Sequence, residues 1–168
     1  MFTKLYLAPT PDERSLIEGT RRHLTTTTGT RFLRDREHEP TLVDRAWWSR
    51  ACELGWTAPL VAPEWGGGSV TGTPMRELGL VAYEQGRCAA PGPLAGANAA
   101  IAGLVLAAEA GRLPDLSLER VVSGEQVVTW AAGDGGPRWE PFATRVTVTV
   151  RDRELVLDGA GPQVDVTV

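Results

Sequence analysis

The sequence predicts an α+β chain: an N-terminal all-α helical bundle followed by an incomplete antiparallel β-domain. Apolar residues recur at helical spacing as far as residue 110, between residue types that start and stop helices. After Pro114 the period changes. Val146, Val148 and Val150 alternate with Arg145, Thr147 and Thr149, which is the two-residue repeat of a strand. Helices followed by strands indicate an α+β domain or two domains in series. The division falls after Gly124, giving a helical domain over 1–124 and the beginning of a β-domain over 125–168. At least four helices are expected before residue 114, and only β-structure from 126 onward.

Each helix carries its own punctuation. Thr10-Pro11-Asp12-Glu13 is a start signal: Thr10 as N-cap, Pro11 at the first helical position, and Glu13 three residues on to complete a capping box. Leu16, Ile17 and Leu24 follow at helical spacing until the run Thr25–Gly29, whose low propensity ends the helix. His23 and His38 flank that run with no second ligand at i+3 or i+4, and are expected on the surface. A second helix over about 41–54 places Ala46, Trp47, Arg50, Ala51 and Leu54 on one face, with Gly55 as the left-handed residue after its end. Adjacent Trp47 and Trp48 cannot share a face, so one is expected inward and the other partly exposed or against a partner.

Thr73-Pro74 opens a third helix with Met75, Leu78, Val81, Ala82 and Gln85 on or near one stripe, and Gly86-Arg87 closes it. After the turn at 89–93 a fourth helix runs from Leu94 to about Ala110 and stops at Gly111. It is small and aliphatic almost throughout, the composition of a helix at the centre of a bundle. The preceding stretch 59–73 holds Pro59, Pro63 and Gly66-Gly67-Gly68. Neither spacing of a phosphate-binding glycine loop is present and no strand precedes it, so the glycines are read as a tight structural turn.

Beyond Pro114, Ser117–Val122 reads as one short helical turn ending at Gly124. Strands are expected at Val127–Ala131, at Thr144–Val150, at Glu154–Asp158 after a hairpin connection through Arg151-Asp152-Arg153, and at Gln163–Val168. A strand running to the terminus leaves an open edge and an incomplete sheet. The chain is therefore expected to be a fragment, a truncated reading frame or a subunit that needs another polypeptide. A homo- or hetero-oligomer follows, with strands 144–168 or helix 94–110 at the contact.

Composition excludes several classes. A net charge of −4, with scattered arginines and lysine only at Lys4, gives no electrostatic footprint for nucleic acid or an anionic membrane. Hydrophobic residues at 42% and charged residues at 23% describe a folded globular chain rather than a disordered one. Cys52 and Cys88 are too few for a disulfide framework or a metal cluster, and no metal site is assigned. No apolar run reaches the roughly 18 residues of a membrane span, and the N-terminus has no signal-peptide core, so a cytoplasmic location is expected.

One stretch carries a resemblance. LGW at 54–56, the V-x-P-E-x-G-G-G run at 61–68, a helix ending in EQGR at 84–87 and APGPL at 90–94 occur in the order found in acyl-CoA dehydrogenases. The chain resembles the N-terminal helical domain of that family plus the start of its middle β-barrel domain. The resemblance implies a flavin-linked oxidoreductase, with FAD as cofactor, that oxidises the α,β bond of an acyl-CoA or other acyl thioester. The family's base lies in a C-terminal half without counterpart here, so this chain alone lacks it and no catalytic residue is assigned. Glu64, Glu77, Glu84 and Glu125 carry no mark of a base, and Glu64 is read as bonding locally within its turn.

The family's flavin contacts come largely from a first middle-domain strand and a T-E-P-x-x-G-S-D-like run. Residues 128–135 stand in that place: Gly133 and Asp134 echo its end, while the Glu-Pro pair and the Ser are missing. The resemblance makes Thr129 and Trp130 the candidate cofactor-binding residues, although Trp130 fits a barrel core equally well. Two functions stay open: the N-terminal portion of such an oxidoreductase, or a non-catalytic partner subunit or binding module of a heteromeric acyl-CoA dehydrogenase.

Overall fold

A computed structural model of the chain describes residues 8–39, 45–112, 117–130, 146–151 and 154–159. Helix α1 spans Pro11–Thr27, α2 Thr30–Asp35, α3 Arg45–Glu53, α4 Pro74–Arg87, α5 Leu94–Glu109 and α6 Leu118–Val122; strands β1 (Thr147–Arg151) and β2 (Glu154–Asp158) follow. The helices-then-strands order is as expected, with more helices than the four required before residue 114.

The start of α1 is the capping box that its sequence indicates. The Glu13 amide donates to Thr10 Oγ1 at 3.2 Å, and the Thr10 amide donates to Glu13 Oε2 at 2.8 Å. Its end shows why four threonines suit the site. Thr25, Thr26, Thr27 and Thr28 each donate a hydroxyl back to the carbonyl four residues earlier, adding a second bond to acceptors of the last turns and giving the backbone an alternative to continuing the helix. The short α2, beginning directly after Gly29, has no counterpart in the sequence pattern.

α1 and α4 run side by side in the same direction, joined by two buried carboxylates. The Arg76 guanidinium holds Glu13, and the Arg21 guanidinium donates to both Glu84 oxygens at 3.0 and 2.6 Å. Both pairs link residues 63 apart in sequence. Glu13 and Glu84 are almost fully shielded, while their arginines remain partly in water.

One core gathers Leu24, Trp47, Trp48, Ala51, Cys52, Trp56, Val81, Leu94 and Ala97. Here two expectations are corrected. Trp47 and Trp48 are both buried, because α3 is covered on adjoining sides. Trp47 meets the rings of α1 and the following turn, whereas Gly124 presses on Ser49 and Cys52 and Arg45 reaches the Glu125 carbonyl. His23 is also buried rather than on the surface, ringed by Trp47 and Trp56 at 5.0 and 5.9 Å. A second cluster joins Val61, Ile101, Val121 and Val122 beneath the glycine turn.

The glycines of that turn are structural. A Cβ on Gly67 would lie 2.4 Å from the Val61 carbonyl oxygen and 2.8 Å from that of Ala58, so only glycine fits. Glu77 ties the next loop down, accepting from the Ser69 hydroxyl, the Val70 amide, and the amide and hydroxyl of Thr71. This anchoring carboxylate is Glu77, not Glu64, which stands exposed in the 3-10 turn Pro63–Trp65.

α5 departs from the expectation of central burial. Leu94, Ala97, Ala100 and Ile101 face the core, but Ala95 and Ala99 are exposed and Leu106 is 66% exposed. Residues 126–130 form no strand; Thr129 and Trp130 lie against α5, and among the described residues no strand pairs with them. β1 and β2 pair antiparallel with Thr147 opposite Asp158 and Arg151 opposite Glu154. The hairpin residues 152–153 and the expected strand 163–168 lie outside the described residues. Val148, Val150 and Leu157 on one hairpin face are exposed.

Replacing Gly67 by alanine should destabilise the chain by about 1–3 kcal/mol, since backbone carbonyls must move. Gly86→Ala in α4, where a Cβ meets nothing within 4 Å, should stabilise it by roughly 0.5–1 kcal/mol. Urea unfolding of the two variants measures both signs.

Candidate functional site

Between α4 and α5 lies an open apolar groove of about 450 Å³. Its width follows from side-chain size. α4 presents Met75, Leu78, Gly79 and Ala82, spaced along one stripe; α5 presents Ala95, Ala99 and Ala102. Leu60 and Leu94 also line it, and among the described residues Asn98 is the one polar member of the lining. The volume falls within the ~300–1,000 Å³ range of small-molecule sites, which are mostly apolar with few polar groups.

Thr129 and Trp130 flank the same helix on the adjoining stripe. The Thr129 hydroxyl sits 2.9 Å from where a Cβ on Gly96 would lie, and the Trp130 ring 2.8 Å from that of Gly103. Glycine at both positions is what lets 129–130 approach the helix. Trp130 is 53% exposed, so it is not in a core. Gly133 and Asp134 lie outside the described residues.

The carboxylates singled out from the sequence are engaged elsewhere. Burial raises the Glu77 pKa, but the hydrogen bonds from Ser69, Thr71 and Val70 outweigh it and hold the group below the usual carboxylate range. The Arg21 guanidinium, aided by Arg87 at 3.1 Å, does the same for Glu84 against its desolvation. Glu125 pairs with Arg120 at 2.7 Å on the surface. None of the four lines the groove. Among the described residues no group of three His, Cys, Asp or Glu could hold a metal. Burial pushes the Cys52 thiol up to about 11, leaving it an unreactive core residue.

Asn98 is what sequence reasoning passed over. It donates to the Trp56 and Leu94 carbonyls, both at 2.9 Å, and its Oδ1 has no hydrogen-bond partner. A lone polar residue amid small ones on the stripe 95, 98, 99, 102 was the available signal.

His23 generates a pH prediction. Burial, then the Arg50 charge, lowers its pKa from 6.5, and its Nε2 has no hydrogen-bond partner. The folded state thus favours the neutral ring. Its stabilising contribution is complete above about pH 6.5, the unfolded value, and is lost as pH falls through the lower folded value. Thermal midpoints between pH 7 and 5 should fall for the wild-type chain and change less for His23→Phe. The depressed carboxylates act only further into acid.

The sequence profile "Acyl-CoA dehydrogenase, N-terminal domain" matches residues 10–112. The structure is similar to that of a variant of the Tcur3481-Tcur3483 steroid ACAD, with a TM-score of 0.67 and 24% identity. That likeness covers 88% of this chain and 39% of the other, so the chain spans less than half the length of that relative. At this identity the likeness is one of fold. No curated protein matches the chain.

Proposed function

The chain belongs to the acyl-CoA dehydrogenase family, and from that premise we propose that it forms the acyl-binding and flavin-facing part of an oxidoreductase of acyl thioesters. The observation that carries this reading is the groove between α4 and α5. Among the described residues its lining is almost wholly aliphatic and carries no charge, and it opens at the surface where an acyl group can enter. Burying such a group there contributes about 25 cal/mol per Å² of apolar area removed from water.

Thr129 and Trp130 are the residues proposed to meet FAD. They suit a planar ring system: a half-exposed indole and a hydroxyl sit side by side along α5, one stripe from the groove. FAD bound there supplies the acceptor for the hydride leaving the β-carbon. The chain's own residues confine the acyl group, exclude water from its apolar body, and present the Thr129 hydroxyl as a donor. Because no carboxylate lines the groove, the α-proton must go to a base from outside the described residues. We place the boundary between the helical and β parts after Gly124, and the chain in the cytoplasm.

A second reading, a non-catalytic partner subunit of a heteromeric acyl-CoA dehydrogenase, draws on two observations. Residues 128–135 lack the Glu-Pro pair and the Ser of the flavin motif, and the structurally similar steroid ACAD carries a double designation, Tcur3481-Tcur3483. The exposed hairpin face of Val148, Val150 and Leu157 suits a homo- or hetero-oligomer in either case.

The purified chain alone should bind a long-chain acyl-CoA but not oxidise it. A missing acid–base group alone lowers rates by roughly 10²–10⁴. Calorimetry and stopped-flow absorbance measure the two properties. A yellow protein that bleaches on mixing with acyl-CoA would contradict the proposal that the base lies outside this chain, and absence of binding would remove the groove reading.

A further inference from the structure

The groove carries a gradient of side-chain size from floor to rim. Leu60, Leu78, Leu94 and Asn98 are buried or half-buried and form its floor; Gly79 on α4 and Ala99 on α5 are both exposed and form its rim. Helical spacing agrees with that division. Leu78 and Gly79 fall on opposite sides of the line through Met75 and Ala82, and Asn98 and Ala99 fall on opposite sides of Ala102. The two smallest side chains of the lining therefore stand at the mouth.

Gly79 is a residue that the fold does not explain. It lies inside α4 with ordinary helical backbone, where glycine is less favourable than alanine. A Cβ added there would meet no heavy atom within 4 Å, so, unlike Gly67, no close approach of the chain requires it. Gly86, the other such glycine of α4, lies in the last turn and outside the lining. What a side chain at 79 would enter is the mouth of the groove. α4 packs on α1 and α5 on α6, so the walls are held by their own neighbours and the mouth stays as wide as its side chains leave it.

That width decides what fits. The lining runs from Leu94 to Ala102, about 12 Å along α5 at ~1.5 Å per residue. A volume of about 450 Å³ spread over that length has a mean section of roughly 40 Å². A hydrocarbon chain touched by wall carbons at about 4.0–4.5 Å on every side occupies only about 20 Å². A single extended chain thus fills half of the groove and leaves the other wall without contacts, whereas a ring system reaches both walls. We propose that the groove takes an acyl group with an alicyclic body, and that Gly79 and Ala99 are the specificity-determining residues that admit it. The inference rests on the groove being the acyl site. Neither residue takes part in bond breaking.

The test uses the full chain and two thioesters with the same number of acyl carbons, tridecanoyl-CoA and trans-4-cyclohexylcyclohexanecarbonyl-CoA, with CoA alone as reference. Titration calorimetry should show the wild-type chain binding the ring ester more tightly than the linear one. Leucine at either rim position fills the mouth, so Gly79→Leu and Ala99→Leu should each weaken the ring ester by about tenfold and the linear ester by less than about twofold. Both place a good helix former on an exposed helical face, and urea unfolding should show Gly79→Leu to be the more stable chain; Ala99→Leu tests the same width from the opposite wall. Equal or reversed affinities in the wild type, or variants that weaken both esters alike or neither, would overturn the selection by width while leaving the groove in place. If neither ester binds more tightly than CoA alone, the groove reading itself fails and this inference with it.

Discussion

Everything in the helical part depends on how α1 lies against α4, and two buried carboxylates fix that contact. The two pairs are reciprocal and equally spaced on both helices: Glu13 on α1 meets Arg76 on α4, and Arg21, eight residues on, meets Glu84, eight residues beyond Arg76. The alternation of sign along the seam matters. Sliding the helices by a turn would separate each charge from its mate and leave a shielded carboxylate unpaired, a far greater loss than the net gain from forming the pair. The pairs act on register more than on total stability. The arginine side chains stay partly in water, which keeps the cost of burying them low.

With that register set, the rest follows in order. α1 delivers His23 to the indoles of Trp47 and Trp56, while Thr20 and Thr27 accept their ring N–H groups at 3.1 and 2.8 Å. α4 then turns Met75, Leu78, Gly79 and Ala82 toward α5. α5 is built to serve several neighbours: large aliphatic residues toward the core, alanines toward the groove, and glycines where residues 129–130 cross it. A helix of such small residues can meet other surfaces closely on more than one side, which is why its composition alone suggested full burial.

The helix boundaries were legible because caps are local. Thr10, Gly55, Thr73-Pro74 and Gly111 act within a turn of themselves. The failures share a different cause. The burial of His23 and of both Trp47 and Trp48 depends on which distant segments cover them, as Gly124 does for α3. Val127-Val128-Thr129-Trp130 carry strand propensity, yet a strand exists only with a partner, and Thr129 and Trp130 lie on a helix instead. The groove was hidden for the same reason. Its two walls are each ordinary in sequence, and only their approach makes a site of Asn98 and its small neighbours.

The central claim, that the face between α4 and α5 receives the acyl group, can be read from a single atom. The chain has two methionines, Met1 and Met75, and Met75 is exposed at the groove. With methionine methyls labelled with carbon-13, titration of the full chain with a long-chain acyl-CoA should move the Met75 resonance, saturably, and leave it unmoved by CoA alone. A Met75 signal unchanged at acyl-CoA concentrations that saturate binding by calorimetry would place the acyl group elsewhere and contradict the account.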